Sequence, residues 1–453
     1  MTQPDPALAT ALVALLDGLR PEDLAAPTRA AVARNALQVL GVARLGLANP
    51  VAADAIRAVA EHERGGQATV VGHGVRGATA SGAAFANALA SHADFREDTH
   101  SESASHPGVV VMPAALAALE VARAEDGRRA GRFVKAVVAG HELIGRLGRP
   151  AALATTERGF RPASVYTVFG GALAAAVALG CTPEEQVHAL AIAAQGAAGI
   201  NHPFAAGTEE WFLAPAFAAR HAVTAALLAR SGVRGSARVL EGTDGVFSAF
   251  AGGVVDVDLT PPVEGRFEIE RTRLKAALTC GWNQSMVHQL RELAPPAAEV
   301  RSVEVRMSPI AAEYPGVART SGFGSRSEAL LSAPYAAALQ LSRGSLDHSG
   351  YERLDDPDLL AVASRVTVAT DANLEGYATV VDVTLASGEV LRSEDGNDKP
   401  RFSLDSSERV IETLGRNYAS AGLDPTLVDA LVAGVKDVVE GDDPTTLAEA
   451  LGG

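Results

Sequence analysis

Two cysteines in 453 residues, Cys181 and Cys280, allow no disulfide framework and match no zinc-ligand spacing. A reducing compartment is the simpler expectation, and the chain is placed in the cytoplasm. Aromatics make up only 5% of the residues, so the core has to be built from small side chains, and heavy use of alanine points to closely packed helices. Cations are also scarce, with 39 Lys and Arg against 54 Asp and Glu and a net charge of -15. That balance argues against nucleic acid, because binding phosphates needs clustered Lys and Arg. It leaves room for a small anion, since a local site can be basic inside an acidic protein. No apolar run of the roughly 20 residues needed to cross a bilayer is read, and the N-terminus lacks a secretory pattern. No membrane partner is therefore expected. The motifs GxxxxGK[ST] and GxSxG are missing as well. GHGVRG, from Gly72 to Gly77, has the letters of GxGxxG. Helical segments precede it and no second strand follows its helix, so it does not read as a dinucleotide site.

What is present is largely helical. ALATALVALLDGL and TRAAVARNALQVLGVARLGL space apolar residues at three and four, as an amphipathic helix does. SGAAFANALASHA and VFGGALAAAVALG are helices of small residues that predict tight neighbours. TPEEQVHALAIAAQG opens with Thr182 as N-cap, Pro183 at the first helical position and acids in the first turn. Past Arg266 the pattern changes. VRSVEVRMSP and SRVTVATD alternate apolar and polar residues, and ATVVDVTLASGEVLRS reads as a hairpin turning at Ser387-Gly388. The expected fold is mainly α: a large all-helical domain, residues 1–265 plus 396–453, with a smaller α+β domain, residues 266–395, inserted into it.

Chemistry concentrates in HADFREDTHSESASHPG, between two of the helices. It sets His92, His100 and His106 among Asp94, Glu97, Asp98 and Glu102. A histidine there, with its tautomer fixed by a carboxylate such as Asp98, suits proton abstraction beside a carbonyl or carboxylate. Thr99 offers a hydrogen bond to a substrate carboxylate. Two other readings compete on spacing alone. One is a solvated loop leading into a His-Pro helix start. The other is a metal site on Asp98, His100 and His106, although their spacing matches no standard metal motif. Elsewhere, Cys280 follows the basic Lys275, and Trp211 in GTEEWF suits either packing or a pocket wall.

Taken in order, the segments AAFANALASHADFREDTHSESASHPGVVVMPAALAALE, AVVAGHELIGRLG, GFRPASVYTVFGGALAAAVALG, GTEEWFLAPAFAARHAVTAALLARSG, LEGTDGVF, LKAALTCGWNQ and SEALLSAPYAAALQLSRG resemble the MmgE/PrpD family from Ala83 to Gly344. The resemblance implies a helical domain with an α+β insertion, a cofactor-free site without metal, and a homodimer. It also implies proton transfer at carbon on small di- and tricarboxylates, followed by elimination, decarboxylation or reprotonation. Asp98, Thr99 and His106 match the family's DDT…HPG pattern, and His100 matches the variant in which a histidine follows the threonine. Lys275 matches a lysine that precedes a cysteine, here Cys280.

Three positions depart from the pattern. The family's upstream acid falls on Phe95, with Asp94 one place earlier. Arg161 in GFRP stands where many members have histidine, and Trp211 stands where dehydratase- and decarboxylase-like members have lysine. An arginine there supplies a permanent cation suited to carboxylates, and a tryptophan supplies apolar surface. The expectation is therefore a cofactor-independent, dehydratase-type lyase with His106, His100, Asp98 and Lys275 as catalytic candidates. Thr99, Arg161, Asp94, Trp211 and Cys280 are the substrate-binding candidates. An epimerase of a dicarboxylate such as iminodisuccinate, and a silent relative, are the alternatives. His92 and Glu97 are expected to be structural or surface residues.

Overall fold

The computed structural model describes residues 6–74, 76–122, 131–263, 267–396 and 400–453. It is mainly helical and divides into two compact units. The first comprises residues 1–201, 212–273 and 406–453, and the second residues 202–211 and 274–405. The boundary expected between residues 265 and 266 lies outside the described residues. The C-terminal boundary falls ten residues beyond the expected one, and the short segment His202–Trp211 joins the second unit.

The first unit is built around helix Thr167–Leu179, all of whose residues are buried. It packs against helices Pro107–Glu120, Arg132–Glu157 and Leu213–Arg230. Side-chain size explains the closeness. A Cβ on Gly170 would lie 2.4 Å from the Gly140 carbonyl oxygen, and one on Gly171 would lie 2.9 Å from the Ala222 methyl. Such contacts leave no room for larger residues, as the scarcity of aromatics predicts.

The C-terminal helices complete this unit. Ser407–Ser420 and Leu427–Gly441 pack on Ala26–Gly46, and the Tyr418 hydroxyl donates to the Gly41 carbonyl at 2.8 Å. Asp442 accepts the backbone N–H groups of Arg132 and Phe133 at 2.7 and 2.9 Å. It thereby satisfies open donors at the start of helix Arg132–Glu157. The Thr182 capping box forms as expected. The GHGVRG loop serves as a docking strip, with Gly72 and Gly74 N–H donating to Leu451 and Gly452 carbonyls.

Two helical stretches, Pro162–Leu179 and Glu210–Arg230, are long and apolar enough to cross a membrane by length and composition. This corrects the expectation that no such run exists. The first is wholly buried inside the protein, where its apolarity serves helix packing, and the second is 56% buried.

The second unit carries a four-stranded sheet in the order Val366–Thr370, Val300–Met307, Thr379–Leu385, Val390–Asp395. The first pair is parallel and the other two antiparallel. The parallel pair needs a crossover, and helices Ala333–Arg343 and Pro357–Ala363 lie within it. The hairpin turns where expected, with Gly388 at φ +88, a backbone that glycine adopts without strain.

Candidate active site

The polar stretch lies in the first unit, and its backbone explains its packing. Helix Ala80–Asp94 ends at Phe95 in the left-handed region, φ 68, an uncommon conformation for a bulky residue. Asp94 turns inward to a bidentate pair with buried Arg96 at 2.7 and 2.8 Å. The Gln38 amide donates to the Arg96 carbonyl. The chain then folds back on itself, because His100 and Ser105 exchange backbone hydrogen bonds with Ala104 at φ 46. His106 becomes the N-cap of helix Pro107–Glu120.

This reversal separates the titratable groups into two buried networks. In the first, Glu97 Oε1 lies 3.1 Å from His92 Nδ1 and 3.4 Å from His106 Nδ1. The His106 Nδ1 also lies 2.7 Å from the Asp98 carbonyl oxygen, and Arg161 Nη2 lies 2.9 Å from His92 Nε2. A carbonyl can only accept, so His106 carries its proton on Nδ1 and its lone pair on Nε2. A guanidinium can only donate, so His92 accepts at Nε2 and donates from Nδ1 to Glu97. His92 and Glu97 are fully buried, Arg161 is 4% exposed, and the His106 side chain is 17% exposed.

The second network holds His100. Its Nδ1 accepts from the Ser103 backbone and lies 2.9 Å from Ser103 Oγ, while Nε2 lies 2.9 Å from Glu268 Oε2. Glu268 also pairs with Arg149, and its backbone N–H donates to Glu142 at 2.6 Å. Burial by itself raises the Glu268 carboxyl, but the hydrogen bond and charge of His100, with Arg149 beside them, bring it down to about 2. Glu142 goes the other way. Burial pushes it up to about 7, and its backbone bond to Glu268 and its pair with Arg146 offset this only in part. Burial also lowers the neighbouring His141 to about 4.

Several expectations change at this level. The Asp98 carboxylate accepts the Gly108 N–H at 2.7 Å, and among the described hydrogen bonds it is the Asp98 backbone carbonyl, not the carboxylate, that meets His106. His100 and His106 share no hydrogen-bond partner among those described above, since His100 turns to Glu268. Asp94 is held by Arg96 rather than offered to a substrate. Of the structural and surface roles expected for His92 and Glu97, burial excludes the surface one, and both form the centre of the network around His106. Thr99 is buried within the short strand Asp98–Thr99. Glu268, Glu142 and Arg149 were not singled out in the sequence, where each is an ordinary charge on a helix.

Lys275, Cys280 and Trp211 belong to the second unit, and all three are buried. Trp211 donates its indole N–H to Ser327 Oγ at 2.8 Å and stacks on Phe204. Phe204 in turn meets Tyr314, which meets Trp282. In that unit Trp211 is one member of an aromatic row.

His92, Glu97 and His106 offer ligand atoms within 4.8 Å of one another, close enough for a metal ion. The hydrogen bonds fit such an ion poorly. Both Nδ1 atoms beside Glu97 carry protons, and a cation there would stand close to the Arg161–His92 pair. The same atoms fit a proton-holding relay well.

Fold and site together define a mainly helical protein with an imidazole–carboxylate–imidazole network at a helix N-terminus. Residues 10–257, more than half of the chain, match the MmgE/PrpD N-terminal domain, and the chain belongs to the MmgE/PrpD family. It is 30% identical to cis-aconitate decarboxylase of Aspergillus terreus over 214 residues, 47% of this chain and 43% of that protein. The cis-aconitate decarboxylase-like protein oryM of Aspergillus oryzae is 29% identical over 235 residues, 51% and 48% of the two chains. The human cis-aconitate decarboxylase is 37% identical over 172 residues, 37% and 34%. The match thus spans less than half the length of each of these relatives. Lys275 and Cys280 lie beyond the matched family domain.

Proposed function

We propose that this chain is a carboxylate-acting lyase of the dehydratase type that needs no cofactor, with His106 as its proton-transfer residue. The observation that carries this reading is the state of His106. Of His92, His100 and His106 it is the one with partial exposure, and its Nδ1 bond to the Asp98 carbonyl leaves the basic lone pair on Nε2. In the reaction, Nε2 accepts the proton on the carbon next to a carboxylate. The C–H electron pair moves into that carboxylate as an enediolate, then returns to form the double bond as the neighbouring C–O bond breaks and the hydroxyl, taking the proton back from the His106 imidazolium, departs as water. Arg161 supplies a cation in the same network for a substrate carboxylate. The likeness to cis-aconitate decarboxylases supports a small di- or tricarboxylate as the substrate class.

Incubation with a panel of such acids in deuterated water tests the reading. The expected result is a new alkene absorbance with deuterium exchange at the acidic carbon, and loss of both in His106→Ala. Exchange with no change in formula points instead to an epimerase, and release of carbon dioxide to a decarboxylase. If His106→Ala turns over like the parent, His106 is not the proton-transfer residue.

A further inference from the structure

We infer that Glu97 is a positioning residue for His106, backed by His92 and Arg161; this rests on the reading of His106 as the proton-transfer group. One oxygen of Glu97 lies between two imidazole nitrogens, 3.1 Å from His92 Nδ1 and 3.4 Å from His106 Nδ1. The two rings are tilted against each other with centroids 5.1 Å apart. Arg161 closes the far end at 2.9 Å from His92 Nε2. The hydrogen bonds have one possible direction each: Arg161 donates to His92, His92 donates to Glu97, and His106 donates its Nδ1–H to the Asp98 carbonyl, with the Glu97 carboxylate 3.4 Å from the same nitrogen.

The fold does not require this arrangement of rings. The backbone of His106 is already set by Pro107 and by the Asp98 carboxylate on Gly108. What Glu97 adds is a fixed ring orientation and a negative partner for the imidazolium that forms when Nε2 takes up a proton. His92 keeps Glu97 from rotating away, and Arg161 keeps His92 in the donating tautomer. Among the contacts described above, those to His106 come from Glu97, His92 and the Asp98 carbonyl, with Arg161 one step behind.

The test combines kinetics with a spectroscopic readout. Glu97→Gln keeps the shape and removes the charge. It is expected to lower kcat about 10–100-fold with little change in KM, as loss of such a supporting partner typically does. It should also move the acid limb of the pH–rate profile to lower pH, and Glu97→Asp should recover part of the rate. In the parent protein, 15N-histidine spectra are expected to show neutral His106 protonated at Nδ1, the signal being assigned by its loss in His106→Gln. An Nε2–H tautomer overturns the inference whether or not the Glu97 variants fold. So does a Glu97→Gln protein with the parent's kcat and pH limb while His106→Ala is inactive, and in that case the proton-transfer reading survives. Activity in His106→Ala removes that reading instead.

Discussion

The Asp98 carboxylate shows how a residue's role depends on what it meets. Beside two histidines it reads as their orienter, but its Oδ2 accepts the Gly108 N–H at 2.7 Å. It thereby satisfies an open donor in the first turn of a fourteen-residue helix, where a negative charge also suits the helix dipole. Removing that bond strands a buried N–H. Asp98→Ala is expected to destabilise the protein by about 2 kcal/mol in urea denaturation, with Asp98→Asn in between because its amide oxygen still accepts. The same helix start carries His106, so Asp98→Ala should also lower activity through misplacement of the ring. A purely electrostatic partner of the histidine would show no such ranking, with Asn as damaging as Ala.

At the scale of elements, glycine and alanine decide how closely the helices approach. A Cβ on Gly46 would fall 1.9 Å from the Ala90 carbonyl oxygen, where helix Ala26–Gly46 meets helix Ala80–Asp94. That neighbour is backbone and cannot rotate aside. Gly46→Ala is therefore expected to cost about 1–3 kcal/mol, despite the better helix propensity of alanine. Gly415, inside helix Ser407–Ser420, has nothing within 4 Å of a built Cβ. There the propensity gain stands alone, and Gly415→Ala should stabilise by about 0.5–1 kcal/mol. Thermal and urea unfolding of the two variants, made in parallel, checks both signs. The contrast matters for function, because helix Ala80–Asp94 carries His92 and delivers the chain to Glu97.

For the molecule as a whole, two buried carboxylates pull stability in opposite directions with pH. Glu268 has its folded pKa depressed from 4.5 to about 2. Its contribution is present above the unfolded value and lost as pH falls from about 4.5 towards 2. Glu142 is raised from 4.5 to about 7. Its contribution is fully present below about 4.5 and lost as pH rises through 7. These two groups alone place greatest stability in mildly acid solution. Glu142→Gln removes the second titration, so the variant should gain on the parent between pH 5 and 8, by at most on the order of 3 kcal/mol. Denaturant titrations across that range measure it; a constant difference between the two proteins would show that Glu142 does not titrate there.

Local order determined much of this protein in advance. Apolar spacing marked the helices, alternation marked the strands, and Gly388 marked the hairpin, because each depends on residues close together in the chain. The order of segments from Ala83 to Gly344 pointed to the family, and the cluster from His92 to His106 to the site. Partnership was not legible. Arg161 reaches His92 from 69 positions away and Glu268 reaches His100 from 168, and nothing near either residue announces its partner. Burial was equally hidden: His92, at the end of a helix, and Glu97, just past it, read as structural or surface residues and are enclosed only once the surrounding helices pack. An imidazole and a carboxylate have the same chemistry in any loop, so only the tertiary structure, through distance and exclusion of water, decided that His92 turns its Nε2 to Arg161 while the partly exposed His106 fixes its ring through Nδ1.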